Sequence, residues 1–137
     1  ASAAAVAALA LAPGVPGTPL GGGTEDFRSM AAHAVRDLRE DSLFVYPSTP
    51  NRNLYRLYLE LQLQADVRTR MVAVDGREGM PQVCARLDTV TQVVVVAHAG
   101  ARSVIDDLYG ACSPRWPARE VQNFAGTFTE HWRRVSP

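Results

Sequence analysis

Apolar residues along this chain fall into alternating blocks of helical and extended period. Phe27, Met30, Ala31, Ala34, Val35 and Leu38 recur at helical spacing. Thr24 stands where an N-cap belongs, and Glu25 and Asp26 suit the positive end of a helix dipole, so the pattern predicts a helix over about 25–39. Leu43-Phe44-Val45-Tyr46 is a short apolar run stopped by Pro47, which reads as a buried strand. Thr49-Pro50 pairs a capping residue with a proline at the first helical position. The second helix it opens has Leu54, Tyr55, Leu57, Tyr58 and Leu61 as its expected apolar face. Arg70 to Val74 predicts another strand, closed by Asp75-Gly76. Met80, Val83, Cys84 and Leu87 then mark a third helix over about 80–89, in which Pro81 is tolerated because it lies in the first turn.

Gln92 to Ala97 contains the unbroken run Val93-Val94-Val95-Val96. Four β-branched residues without polar alternation predict a central strand covered on both faces. Ala101, Val104, Ile105, Leu108 and Tyr109 give a fourth helix, and Ser113 to Pro117 a loop. Phe124, Gly126, Phe128, Glu130 and Trp132 alternate with strand period, which adds an edge strand or hairpin at the C-terminus. Strands separated by single helices imply right-handed crossovers. The expected fold is therefore α/β, a three-layer Rossmann-like sandwich with a short, mainly parallel sheet.

That domain should occupy residues 24–137. Residues 1–12 are uncharged and Ala-rich, and 13–23 form a Pro/Gly linker. Twelve apolar residues do not cross a bilayer, and the segment shows no basic n-region of the kind a signal peptide carries. Three readings stand: the end of a longer membrane helix, a signal-sequence remnant ending near Ala8-Leu9-Ala10, or a plain Ala-rich arm.

Acidic and basic residues balance at 14 each, so charge offers no case for nucleic acid as a partner. All the basic residues are Arg, which excludes chemistry that needs a Lys, such as a Walker-type loop or a Schiff base. His33, His98 and His131 are scattered, and no metal site or cofactor fingerprint is present. Cys84 reads as a small buried hydrophobe on its helix or, if the domain is extracytoplasmic, as the partner of Cys112 in a disulfide.

Ligands of open α/β sheets sit at the carboxyl ends of the strands. Those ends carry Ser48 and Thr49, then Asp75 and Gly76, then His98, with Asn51 close by. Ser48, Asp75 and His98 have the chain order of a hydrolase triad, but Ser48 lies in Tyr-Pro-Ser-Thr-Pro without the flanking glycines of a nucleophile elbow. The same residues suit a site for a small anionic or nucleotide-like ligand near helix N-termini.

Four segments carry a family resemblance: the helix and strand from Glu25 to Tyr46, ending in Asp41-Ser42-Leu43-Phe44-Val45-Tyr46; the Tyr-rich helix Asn53-Leu54-Tyr55-Arg56-Leu57-Tyr58; the strand with its terminal histidine, Val93 to His98; and Phe124-Ala125-Gly126-Thr127-Phe128. Together they resemble the soluble C-terminal domain of multi-pass GT-C type glycosyltransferases, which use lipid-phosphosugar donors. The resemblance implies an accessory domain on the extracytoplasmic face of the cell membrane. Its partners would be the transmembrane portion of the same polypeptide and a glycan or lipid-linked sugar of the cell envelope. The acidic catalytic residues of that class lie in loops between membrane helices, so none carries over to this segment. The isolated domain is expected to be a folded, non-catalytic monomer.

Overall fold

The computed structural model describes residues 25–49 and 52–137, so Thr24, Pro50 and Asn51 fall outside it. Its elements run α1 (Phe27–Ala34), β1 (Ser42–Pro47), α2 (Arg52–Leu63), β2 (Met71–Val74), α3 (Met80–Leu87), β3 (Gln92–His98), α4 (Arg102–Cys112), β4 (Ala118–Phe124) and β5 (Thr127–Arg133). The five strands form one sheet in the order β2-β1-β3-β5-β4. β1 pairs in parallel with both β2 and β3, whereas β5 is antiparallel to β3 and to β4. The fold is thus α/β with a mixed sheet, not a mainly parallel one. The cause is the tail: it folds back at Ala125-Gly126 into a hairpin whose second strand, β5, pairs with β3 and leaves β4 at the edge.

The valine run occupies the middle of this sheet, and Val93 to Val96 are all fully buried. Their side chains alternate between two cores, as a period of two requires. Val94 and Val96 join Phe44, Tyr55 and Leu59 with Phe27, Met30, Ala31 and Ala34 of α1. Val93 and Val95 join Leu43, Val45, Val72 and Val74 with residues of α3 and α4, and with Trp116, Phe128 and Trp132. The two tryptophans are packing residues, both without exposed surface.

Two helices depart from the sequence pattern. α1 is capped by Asp26, whose carboxylate accepts the Ser29 N–H at 2.9 Å. It ends at Ala34, short of the expected 39, because Asp37 takes a left-handed φ of 52°. Val35 and Leu38 still reach the core from the turn that follows. In α2 the buried residues are Tyr55 and Leu59, with Tyr58 half-buried. Leu54, Leu57 and Leu61, expected on the apolar face, are 39%, 49% and 61% exposed. Nearly every position of α2 from 54 to 63 that is not charged or amide is apolar, so spacing alone did not say which side faces the sheet.

Cys84 and Cys112 are joined in a disulfide that ties α3 to α4, with Cα atoms 5.6 Å apart. Of the two readings open from sequence, the bond is the one realised. At the hairpin, Gly126 has φ of 69°, and a Cβ there would lie 2.9–3.0 Å from Cγ and Cα of Glu25. Only glycine fits this close approach, which holds the start of α1 against the β4–β5 turn.

Candidate functional site

With β1 between β2 and β3, the chain reverses its direction of strand addition after β2. The crevice at such a switch point, outside the carboxyl ends of β1 and β3, is where open α/β sheets bind ligands. The structure brings Ser48, Thr49 and His98 to this edge of the sheet, with Asp75 and Gly76 at the end of neighbouring β2. Asn51 lies outside the described residues.

The crevice is bridged from within. The Tyr55 hydroxyl accepts the backbone N–H of His98 at 2.9 Å and is hydrogen-bonded to the side chain of Thr49. Its phenol therefore links the end of β3 to the segment after β1. Burial pushes the Tyr55 hydroxyl up to about 12, so it keeps its proton at neutral pH. Ser48 is exposed and donates its backbone N–H to Val74 O at 2.8 Å. The His98 ring packs over Gly100, where a Cβ would meet its Cε1 and Nδ1 at 3.1 Å. Among the described residues no hydrogen bond joins the side chains of Ser48, Asp75 and His98.

A different cluster escaped the sequence pattern. His33 on α1 and His131 on β5 meet edge to face, with ring centroids 5.4 Å apart. His33 Nδ1 lies 3.0 Å from Thr129 Oγ1, and His131 Nε2 donates to Ala34 O at 3.1 Å. With Nε2 carrying the proton, His131 Nδ1 presents a lone pair, and this buried atom has no partner. The two rings line a cavity of about 90 Å³ together with Arg36, Asp37, Glu120 and Arg133. That volume suits about three waters, one of which would satisfy the orphaned nitrogen. Two arginines face two carboxylates, so the lining has no net charge for an ionic ligand to answer. Burial is the main cause that lowers both imidazoles below their ordinary value, with Arg36 next for His33 and Arg133 also opposing charge on His131. No group of three His, Cys, Asp or Glu side chains among the described residues is placed to hold a metal ion.

On the opposite face of β5, Glu130 is a fully buried carboxylate. Arg119 of β4 grips it with two hydrogen bonds of 2.8 and 2.9 Å, and Trp132 Nε1 donates to it at 2.8 Å. The same guanidinium reaches Asp106 on α4 at 2.6 Å and lies 4.3 Å over the Tyr109 ring. Both Glu130 oxygens are paired, and Arg119 joins them to Asp106, which makes this a clamp between hairpin and helix. Sequence could not announce it, because Glu130 reads as one polar residue within an alternating strand.

Comparison with protein-family models, with curated proteins and with solved structures returned no match.

Proposed function

We propose that this chain is an extracytoplasmic accessory domain of a membrane glycosyltransferase acting in cell-envelope glycan assembly. It supports binding of the acceptor or of the lipid-linked donor and does not itself transfer sugar. The arrangement of helices on the two core clusters is read as a three-layer, Rossmann-like sandwich, the form expected for such a domain.

The observation that carries the extracytoplasmic part of this reading is the Cys84–Cys112 disulfide. Structural disulfides persist in oxidising compartments and are rare where glutathione and thioredoxin keep thiols reduced. The accessory part draws support from the bridged crevice. The Tyr55 hydroxyl already takes up the His98 N–H at the end of the central strand, a donor that a ligand bound there would otherwise use. This favours support of a site elsewhere over a hydrolase of Ser48, Asp75 and His98, and over a module binding a small anionic or nucleotide-like ligand through Ser48, Asn51, Gly76 and His98. The glycosyltransferase part rests on the resemblance of the four segments between Glu25 and Phe128.

Two experiments test it together. The reading frame upstream of Ala1 should encode several hydrophobic segments. The 137-residue chain alone should give no sugar transfer from a lipid-phosphosugar donor. Transfer by the isolated chain would remove the accessory role, and an upstream frame without membrane segments would remove the glycosyltransferase kinship.

A further inference from the structure

α2 carries more apolar surface than its core needs. Tyr55 and Leu59 seat it on the sheet, while Leu54, Leu57 and Leu61 form a second stripe open to solvent along about 10 Å of the helix. α2 carries two arginines and one glutamate, a net charge of +1, with Arg56 pairing with Glu60 at 3.3 Å. A helix apolar on both sides is one whose outer side is also covered in use.

The path of the chain says what covers it. The described residues begin beside α2: the Phe27 ring stacks on Tyr58 with centroids 5.9 Å apart and lies 5.5 Å from Tyr55. Upstream of that point, residues 13–24 reach at most about 40 Å when fully extended. Beyond them lies the uncharged run of residues 1–12. If that run is the end of a membrane helix, the bilayer lies on the side where the chain enters α1, with the β4–β5 turn and α2 beside that entry, and of these α2 is the one that exposes an apolar stripe.

We propose that α2 lies on the lipid surface, with Leu54, Leu57 and Leu61 entering the headgroup–acyl boundary as an interfacial amphipathic helix does. The inference rests on the membrane-side reading above, though not on the glycosyltransferase assignment. Because the helix carries a net charge of only +1, the attraction is mainly apolar, and zwitterionic phosphatidylcholine should suffice without anionic lipid.

The test is co-sedimentation of the full 137-residue chain with phosphatidylcholine vesicles, with and without phosphatidylglycerol. Leu57→Ser/Leu61→Ser is compared with wild type and with Leu9→Asp/Leu11→Asp. Since the leucines are exposed, the double serine variant should keep its urea midpoint while its vesicle partitioning falls at least about tenfold. The same fall should appear when the two changes are added to Leu9→Asp/Leu11→Asp. Three results would overturn the proposal. One is wild type that stays in the supernatant. Another is binding lost with Leu9→Asp/Leu11→Asp but indifferent to Leu57 and Leu61, which would make residues 1–12 the sole anchor. The third is self-association without vesicles that the serine variant abolishes, which would make the stripe a contact between copies. None of these bears on the glycosyltransferase reading, which the upstream frame tests separately.

Discussion

Removing Arg119 should destabilise the domain more than removing any surface charge, because it strands Glu130. The Glu130 side chain has no solvent exposure, and Arg119 is only 24% exposed. In Arg119→Ala the carboxylate keeps a single charge-neutral donor, Trp132 Nε1, and loses its counter-charge. Deleting one partner of a buried pair typically costs about 3–5 kcal/mol. Against a total of about 5–15 kcal/mol for a domain, that is a large fraction of the stability. Replacing both partners with apolar residues, Arg119→Met/Glu130→Leu, removes the stranded charge and should recover most of the loss. Arg133→Ala, whose one ion pair among the described residues is the 3.4 Å contact with the 65% exposed Glu120, should cost less than about 1 kcal/mol. Urea denaturation followed by tryptophan fluorescence is well suited, since Trp116 and Trp132 are both buried in the core beside the clamp. The midpoint should shift while the slope holds. The reasoning fails if Arg119→Ala costs under about 1 kcal/mol, or if the double variant is as unstable as the single.

Acidification should weaken the domain from about pH 6.5 downward through its histidine pair. His33 and His131 are both lowered from 6.5 in the folded state, so the unfolded chain takes up their protons first and stability falls as pH drops through that window. The groups facing them are Arg36, Asp37, Glu120 and Arg133, and His131→Gln should flatten the slope in urea melts between pH 7 and 5, whereas an unchanged slope would exclude His131 as its source. Tyr55→Phe leaves the His98 N–H without its acceptor and should cost about 1–3 kcal/mol with faster amide exchange at His98; unchanged exchange there would contradict the bridging role. Cys84→Ala/Cys112→Ala opens a link across 28 residues and should lose about 3–4 kcal/mol in the same urea assay, with a loss below about 1 kcal/mol speaking against a stabilising bond.

How far the sequence spoke depended on whether the deciding contact was local. The buried strands around Phe44 and Val93 to Val96 were legible because an apolar run without alternation has one good explanation. The helices were legible for the same reason, but their ends and faces were not. α1 stops early because of the backbone at Asp37, and the side of α2 that meets the sheet was hidden by apolar residues on all sides. The C-terminal hairpin was legible but its placement was not: β5 pairs antiparallel with β3, a choice made by long-range register, and this makes the sheet mixed. The strand-end residues reached one edge of the sheet as expected, yet nothing in the sequence marked Tyr55 as the group that would bridge that edge. His33 and His131 stand 98 positions apart, on elements whose contact only the folded topology creates.

The proposed extracytoplasmic placement is tested most directly at the two cysteines. The protein should be extracted from its native cells under immediate thiol alkylation, digested and analysed by mass spectrometry without reduction. The account predicts Cys84 and Cys112 peptides linked to each other and free of alkylating agent. Alkylated peptides for both cysteines, with no linked species, would place the domain in a reducing compartment and contradict it.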